Sequence, residues 1–372
     1  MKVCGIIAEF NPLHKGHAAL IEHAVKEHGC DGVIVIMSGD YMQRGEPAIA
    51  DKYCRASMAI SAGADLVLEL PVLSATGSAQ YFAEGAVSAL KHCGVTDILL
   101  FGSESGDISF LKEAAARPHS TLPFEERMSS NDLLACEYLR ALDRLDADVS
   151  PVPFKRLGPD HDSPVPGEGF ASATYIREKL LSGEAAGEWL PTSSSAILKD
   201  YMKDRRLLSR ADFSELIFYA LLSHRDEGYA RFFDIYEDLS DKLLRELENY
   251  EDADRFIARL KSKDITHSRL SRTLIHILLD LRKKDAEIFR HEYDSCPWLR
   301  ILGVNRKNSA LLHAVKENCD RPLISKTADA PSLLDERALA LFEKDLSASF
   351  LYSKLSGRAV PDQRRSIITT PS

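Results

Sequence analysis

Two histidines lie three residues apart near the start of the chain, in the stretch EFNPLHKGH (9–17). The imidazoles of His14 and His17 can donate hydrogen bonds to an anionic group such as a phosphate. Gly16 removes a side chain where a nucleotide needs close approach. Two histidines at this spacing are commonly just exposed residues of a helical turn, and the chain has no HExxH or CxxC spacing that would indicate zinc. The elements around the pair decide between these interpretations.

Those elements favour a ligand site. The apolar run VCGIIAEF (3–10) is typical of a buried strand in a parallel sheet. Asn11 and Pro12 provide turn chemistry, and helical periodicity starts at Lys15. The pair therefore lies where a first strand passes into a first helix. Open α/β sheets bind ligands at this position, and the free N–H groups of a helix N-terminus suit phosphate.

The first half of the chain alternates strand and helix patterns. Further strands are predicted at 32–37, 65–71, 96–106 and 148–156, with helices at 53–63, 78–94, 131–145 and 170–183. This order predicts an α/β fold with a doubly wound parallel sheet. Long helical periodicities then follow at 194–223, 228–249, 252–262, 268–293, 307–318 and 332–355. We therefore predict a catalytic domain at 1–190 and a mainly α-helical domain at 191–372.

Polar residues recur where the predicted strands end. Ser38, Gly39 and Asp40 follow the second strand, GSESG (102–106) follows the fourth, and SATYIR (172–177) opens a later helix. The carboxyl ends of parallel strands meet at one edge of a sheet, so we expect these groups to converge. Histidines and an arginine gathered there can stabilise charge on a phosphorus during nucleotidyl transfer, which is catalysed mainly by positioning and electrostatics.

Composition narrows the class of protein. Apolar residues make up 45% of the chain, and its seven cysteines are scattered, as expected for a reducing cytoplasm rather than a disulfide framework. No apolar stretch is long enough to span a membrane. The net charge of −9 argues against a general polyanion binder, so we expect neither a membrane nor DNA as a partner.

One segment differs from this acidic background. Residues 255–284 contain nine Lys/Arg and two Asp, a net charge of +7, which leaves −16 for the rest of the chain. On a helix, Arg269, Arg272 and His276 fall within about 60° of one another, opposite a leucine-rich face. We predict a packed helix with a basic stripe for RNA phosphates, and Arg300 could extend that surface. The alternative is an ordinary solvated helix face.

Five blocks of the sequence resemble the bacterial tRNA(Met) cytidine acetate ligase family of HxGH nucleotidyltransferases. They are GIIAEFNPLHKGH (5–17), MSGDYMQRGEPAIADK (37–52), GADLVLELP (63–71), FGSESG (101–106) and FASATYIR (170–177). The resemblance implies a Rossmann-like sheet and an ATP-dependent ligase that forms a carbon–nitrogen bond. Acetate would be activated to acetyl-adenylate, and the acetyl group would pass to N4 of the wobble cytidine of elongator tRNA(Met), giving N4-acetylcytidine.

The resemblance also implies site residues. His14 and His17 would hold the ATP phosphates, with Mg²⁺ carried by the phosphates themselves. The nucleotide site would comprise Ile7, Ala8, Glu9, Phe10, Asn11, Gly16, His17, Leu20, Gly102, Asn131, Arg156 and Arg177. From the positions of the residues themselves, we predict an acetate and tRNA site that comprises Ser38, Gly39, Asp40, Gln43, Arg44, Arg269 and Arg272. Lys52 or Arg44 would pair with the acetate carboxylate.

The chain departs from the family at three points. The segment 107–130 is short, Asp132 stands where a second asparagine is expected, and the arginine before His161-Asp162 is either Arg156 or, as a lysine, Lys155. Two other functions remain open on the sequence. A small-molecule adenylyltransferase would explain the first half equally well, and a non-catalytic RNA-binding protein would explain the basic helix.

Overall fold

The structure is a computed structural model, which describes residues 1–117, 128–156, 169–357 and 360–370. Eight strands form one sheet: β1 Val3–Ala8, β2 Gly32–Ser38, β3 Leu66–Leu70, β4 Ile98–Ser103, β5 Ser150–Lys155, β6 Leu299–Val304, β7 Leu323–Ile324 and β8 Ile368–Thr369. Their order is β5-β4-β1-β2-β3-β6-β7, and β8 also pairs with β6. The five strands of the first half run parallel to one another.

Helices cover both faces of this sheet and form most of the second half. Those flanking the first five strands are α1 Lys15–Lys26, α2 Lys52–Ser61, α3 Val72–Ala75, α4 Ala79–His92, α5 Ile108–Ala115, α6 Ser130–Arg144 and α7 Ala173–Leu181. Those that follow are α8 Thr192–Tyr201, α9 Ser214–Ser223, α10 Glu237–Glu246, α11 Ala253–Leu260, α12 His267–Leu278, α13 Lys283–His291, α14 Ser309–Asn318, α15 Ala330–Leu333 and α16 Glu336–Leu355. None of the helices in these described ranges is both long and apolar enough to cross a membrane.

The strands pack on both faces because successive side chains alternate. In β1, Val3 and Ile7 join the core on one side of the sheet, while Cys4 and Ile6 join the core on the other side. This double burial is why the run VCGIIA reads as continuously apolar. The predicted α/β fold and its first five strands are confirmed.

The sheet is mixed rather than wholly parallel, which corrects the sequence prediction. β6 comes from the second half and runs antiparallel to β3, with Glu69 opposite Arg300. The helices α7 to α13 lie between β5 and β6 in the chain, so β6 is not joined to β3 by a single strand–helix–strand unit, the connection that makes adjacent strands parallel. A short run such as LRILGV cannot be told from part of a buried helix by periodicity alone. The second half is therefore mainly helical but also completes the sheet, and the boundary at 190–195 remains a prediction.

Two long helical patterns are also broken. The periodicity at 194–223 becomes α8 and α9, and that at 268–293 becomes α12 and α13. Asp280 lies between α12 and α13 and has a φ of +49°. This left-handed conformation interrupts the helical path after α12. Side-chain periodicity continues from α12 into α13 because both helices bury residues in the same core.

The two halves are joined by direct contacts near the strand ends. The Ser271 hydroxyl of α12 donates to the carbonyl of Gly45 at 2.6 Å. The Tyr352 hydroxyl of α16 donates to the carbonyl of Ala48 at 2.7 Å. Gly45 has a φ of +72°, and a Cβ there would come within 2.2 Å of the Arg272 backbone nitrogen. The loop after β2 therefore packs closely against α12. This contact fixes the position of α12 relative to the ends of the strands.

Candidate active site

A cleft of about 480 Å³ opens at the carboxyl ends of β1, β4 and β5. β1 and β4 are neighbours in the sheet, yet the chain reaches β2 and β3 before it reaches β4. The strand order therefore reverses between β1 and β4, and open α/β sheets bind their ligands at such a reversal. Ser268 and Arg272 of α12 line the same cleft, so the second half supplies part of its wall.

Most of the predicted site residues meet in this cleft. Those that line it are Ile7, Ala8, Glu9, Phe10, Asn11, His14, Gly16, His17, Leu20, Gln43, Arg44, Gly102, Asn131, Arg156, Arg177 and Arg272. Ser38, Gly39, Asp40, Lys52 and Arg269 do not line it.

His14 and His17 form a stacked pair at the start of α1. His14 is the N-cap rather than a helical residue, and the ring centroids lie 3.7 Å apart with 21° between their planes. His14 Nδ1 accepts from the Gly16 N–H at 3.1 Å, and His17 Nδ1 accepts from the His14 N–H at 3.4 Å. The two side chains thereby cap the first backbone donors of the helix.

These two hydrogen bonds determine where the histidine protons lie. A ring nitrogen that accepts a backbone N–H carries no proton, so each neutral imidazole has its proton on Nε2. Both Nε2–H groups are then donors at a helix N-terminus, where the macrodipole favours negative charge. The pair is thus arranged to donate to phosphate oxygens.

The backbone around the pair is closely constrained. Phe10 adopts a φ of +49°, which is unusual for an aromatic residue and is typical of strain held at functional sites. Its ring contacts His17 edge-to-face at 5.0 Å. A Cβ on Gly16 would lie 3.0 Å from the His14 ring, so glycine at this position lets that ring stay in its capping place.

Two arginines reach the cleft from the later part of the first half, Arg177 and Arg156. Arg177 of α7 donates to the carbonyl of Asn11 at 3.1 Å and to the Thr174 hydroxyl at 3.2 Å. Its ion pair with Glu46 is long, at 4.0 Å. Arg156, directly after β5, is 3.7 Å from Glu104. These are distances at which a bound anion can compete for a guanidinium group.

Glu9 is the acidic group at the end of β1. Its Oε1 accepts the Gln43 N–H at 2.6 Å. Burial raises the pKa of Glu9, while this hydrogen bond and Arg177 act in the opposite direction. The carboxylate holds the Gln43–Arg44 segment against β1, which places both side chains at the cleft.

Asn131 and Asp132 have different positions at the start of α6. Asn131 lines the cleft and donates to Glu104. Asp132 is 5% exposed and accepts the N–H of Glu104 at 3.1 Å and that of Ser105 at 3.2 Å. The residue that departs from the family pattern thus holds the loop after β4. His161 and Asp162, and residues 118–127 of the short segment, lie outside the described residues.

Sequence reasoning missed the apolar wall of the cleft. Its large members are Phe82, Phe101, Leu134, Tyr138, Phe154 and Phe170. The rings of Phe101 and Tyr138 contact each other, with centroids 5.8 Å apart. A flat apolar surface beside polar groups suits a purine base. The only available signal was local: Phe101 precedes Gly102, and Leu134 and Tyr138 share a helix face.

Lys52 lies elsewhere, in a cluster that we call the interior ion cluster: Lys52, Glu69, Arg300 and Asp362. The lysine Nζ is 2.7 Å from Glu69 and 2.8 Å from Asp362, and its side chain is fully buried. Arg300 lies 2.7 Å from Glu69 and 2.9 Å from Asp362. This placement does not support the predicted pairing of Lys52 with acetate, and Arg300 is not an RNA-facing surface residue.

The residues after β2 belong to the same interior. Asp40 is 5% exposed and accepts the Lys52 N–H at 2.7 Å and the Ser349 hydroxyl at 2.6 Å. Ser38 is fully buried, and a Cβ on Gly39 would press against Glu69 at 2.7 Å. These three residues therefore support the sheet edge beside the cleft and do not form its surface.

The predicted basic stripe on α12 is also corrected. His276 is fully buried, and its ring nitrogens contact the carbonyl oxygens of Phe233 at 2.8 Å and Thr76 at 2.9 Å. Burial lowers the pKa of His276 to about 4, while its hydrogen bonds with the Thr76 and Phe233 carbonyl groups act in the opposite direction. Arg272 is 8% exposed, lines the cleft and lies 3.6 Å from Asp234. Arg269 is more exposed and pairs with the same carboxylate at 3.8 Å.

Comparisons with known proteins agree with this geometry. A model of the HIGH nucleotidyl transferase family matches residues 1–126 and 119–366. A protein of Caldanaerobacter subterraneus named tRNA(Met) cytidine acetate ligase is 34% identical and covers 95% of each chain. A protein of the same name from Clostridium perfringens is 32% identical over 96% of each chain.

Two solved structures match almost the whole chain. The crystal structure of Thermotoga maritima TmcAL without ligand has a TM-score of 0.92 and 25% identity, and covers all of both chains. The structure of the same protein bound with alpha-thio ATP has a TM-score of 0.89 and 26% identity over 99% of both chains. The chain therefore belongs to the tRNA(Met) cytidine acetate ligase family of HIGH nucleotidyltransferases.

Proposed function

We propose that this chain is an ATP-dependent ligase that acetylates N4 of the wobble cytidine of elongator tRNA(Met). In the first step, an acetate oxygen attacks the α-phosphorus of ATP, and pyrophosphate leaves. In the second step, the N4 amine attacks the carbonyl carbon of acetyl-adenylate, AMP leaves, and the amine loses a proton. The new carbon–nitrogen bond is that of N4-acetylcytidine.

The observation that carries this proposal is the stacked histidine pair in the cleft. Both Nδ1 atoms accept backbone N–H groups, so both Nε2–H groups are donors for phosphate oxygens. Donors that are already in place stabilise charge developing on the α-phosphate and the leaving pyrophosphate without reorganisation. The alpha-thio ATP bound to Thermotoga maritima TmcAL supports ATP as the nucleotide. We propose that Mg²⁺ arrives on the ATP phosphates.

Arg44 is our choice for the acetate carboxylate. The sequence offered Lys52 and Arg44, and of these two only Arg44 lines the cleft. A guanidinium group can pair with both oxygens of a carboxylate. We therefore expect Arg44→Ala to raise the KM for acetate while changing the KM for ATP much less.

We propose that the RNA contacts the cleft on the side of α12. Ser268 and Arg272 of that helix line the cleft, and a wobble base in an anticodon loop is unpaired and enters a pocket at low cost. All seven cysteines are free thiols, in keeping with the cytoplasmic location that we propose. A small-molecule adenylyltransferase is not favoured, since relatives named as the ligase match both halves of the chain.

The test is ATP–pyrophosphate exchange by the purified protein, with and without acetate, in wild type and His17→Ala. We expect exchange that requires acetate and is lost in the variant. Acetylation of tRNA(Met) by the wild type is then measured by mass spectrometry of the digested RNA. Absence of acetate-dependent exchange, both alone and in the presence of bulk tRNA, would overturn the proposal.

A further inference from the structure

Tyr236 is an exposed aromatic residue beside the wall of the cleft. It is the N-cap of α10 and is 63% exposed, although tyrosine rings usually bury most of their apolar surface. The chain just before it is firmly held: Ile235 is fully buried, and the Phe233 N–H donates to the carbonyl of Leu281 at 2.8 Å. The backbone that carries the ring is therefore held in place, so a ligand that stacks on the ring has to immobilise little of the protein.

Two cations lie close to this ring. The Arg269 guanidinium carbon is 5.3 Å from the ring centroid, and the Lys283 Nζ is 5.4 Å from it. Both distances are within the range of cation–π attraction. Proteins that bind unpaired RNA combine an aromatic face for a base with adjacent cations for the backbone phosphates.

The group is continuous with the cleft through one carboxylate. Asp234 lies 3.8 Å from Arg269 and 3.6 Å from Arg272, and Arg272 lines the cleft. Consecutive groups therefore lead from the reaction cleft to the exposed ring. Along this path one carboxylate, Asp234, faces two arginines, and a lysine lies close to the ring.

Acidic residues next to Tyr236 limit the kind of ligand that this surface can bind. Glu237 and Asp238 follow Tyr236 directly and are exposed. A broad phosphate-binding surface would not place two acids beside its centre. The arrangement fits a single stacked base with phosphate contacts on the Arg269 side.

We propose that Tyr236, together with Arg269 and Lys283, is a stacking platform for one unpaired nucleotide of the RNA that enters the cleft. This inference rests on the proposed function, since it supplies a contact for the same RNA substrate. The acceptor base occupies the cleft, and a neighbouring nucleotide of the loop stacks on the Tyr236 ring.

The experiment compares Tyr236→Ala, Tyr236→Phe and a matched control, Tyr219→Ala. Tyr219 lies on α9 and is 68% exposed, so it is the same residue type in a similar degree of solvent contact. Binding of a tRNA(Met) anticodon stem–loop is measured by fluorescence anisotropy, and the KM for tRNA is measured in acetylation. Acetate-dependent ATP–pyrophosphate exchange without RNA shows whether the cleft itself is intact.

We expect Tyr236→Ala to weaken RNA binding and raise the KM for tRNA by about tenfold, the effect of one base on one aromatic ring. Pyrophosphate exchange should be unchanged, Tyr236→Phe should bind within about twofold of wild type because it retains the ring face, and Tyr219→Ala should match wild type. RNA binding by Tyr236→Ala that equals wild type would overturn the platform and assign the ring to another kind of partner, such as a protein.

Equal losses in Tyr236→Phe and Tyr236→Ala would also overturn it, because a stacking role needs only the ring. Failure of the wild type in pyrophosphate exchange is a separate result, which counts against the proposed function. The direct binding measurement still decides the platform in that case.

Discussion

Cations in the cleft and cations in the interior ion cluster are paired in different ways. In the cleft, Arg156 and Arg177 lie 3.7 and 4.0 Å from their carboxylates, with side chains about one-fifth exposed. In the interior, the four pairs of Lys52 and Arg300 with Glu69 and Asp362 measure 2.7 to 2.9 Å, with side chains at most 5% exposed. The two regions lie next to each other at the same edge of the sheet.

This difference in ion pairing distinguishes cations that can bind a ligand from cations that stabilise the fold. A long, partly solvated ion pair contributes little stability, so a ligand phosphate can replace its carboxylate at small cost. A buried pair cannot exchange partners in this way, since removing one member leaves an uncompensated charge. A cation near a strand end is therefore a candidate for ligand binding only when its partner is distant and solvent can reach it.

The largest expected effect comes from breaking the interior cluster. Lys52→Met should lower the free energy of unfolding by about 3–5 kcal/mol, because Glu69 and Asp362 would share Arg300 alone. Urea denaturation measures the change, with Lys199→Met as the control for loss of an exposed lysine. A change below about 1 kcal/mol would mean that the interior ion pairs contribute as little to stability as the long ion pairs of the cleft.

The cleft should respond in activity rather than stability. His17→Ala should reduce acetate-dependent ATP–pyrophosphate exchange by about 10²–10³-fold, the usual effect of losing one preorganised donor to a transition-state anion. The melting temperature should stay close to that of wild type. His313→Ala is the control, since His313 is a 73% exposed histidine on α14. A His17→Ala protein that unfolds early would place the histidine pair among the supporting residues.

Arg177 tests the cleft cations directly. Arg177→Ala should raise the KM for ATP by about 10- to 100-fold, since a hydrogen bond to a charged group contributes about 1.5–3 kcal/mol. Arg177→Lys should give an intermediate value because it keeps the charge and loses the planar fork of donors. Initial rates at varied ATP concentration measure both. An unchanged KM in Arg177→Ala would show that its contacts with Asn11 and Thr174 are its whole role.

The last prediction concerns the pH dependence of stability, where the change per pH unit is modest. Asp345 lies beside the interior ion cluster. Burial, and to a smaller extent the nearby carboxylate of Glu69, raises the pKa of its carboxyl to about 8. An unfolded aspartate titrates near pH ~3.9, so the folded state holds an extra proton between about pH 4 and 8. The free energy of unfolding should therefore fall as pH rises through that window, by about 1 kcal/mol per pH unit.

Asp345→Asn should remove this slope. The amide oxygen keeps the hydrogen bond that Oδ1 now accepts from the Val72 N–H at 2.7 Å, and asparagine cannot ionise. Urea denaturation at pH 5, 6, 7 and 8 should give a flatter profile for the variant than for wild type. Parallel profiles for the two proteins would show that Asp345 is ionised in the folded state.

Local sequence determined the strand, turn and helix that present the histidine pair. The apolar run of β1, the turn at Asn11-Pro12 and the helical pattern from Lys15 are short-range signals, and the structure has α1 starting at Lys15. The Ser172 N-cap of α7 is equally local, since its side chain accepts the Tyr175 N–H three residues on. Such signals depend only on residues that are close in the chain, so a single sequence contains them in full.

Tertiary structure alone decided which charged residues face the cleft. Lys52 and Arg44 are both cations in one block of the sequence, yet Asp362, 310 residues beyond Lys52, forms an ion pair with Lys52. Similarly, the angle of His276 on α12 matches that of the arginines, but two carbonyl oxygens of distant segments enclose its ring. Periodicity states which residues share a helix face; it does not state whether that face meets solvent, a cleft or another helix, because burial depends on contacts between residues far apart in the chain.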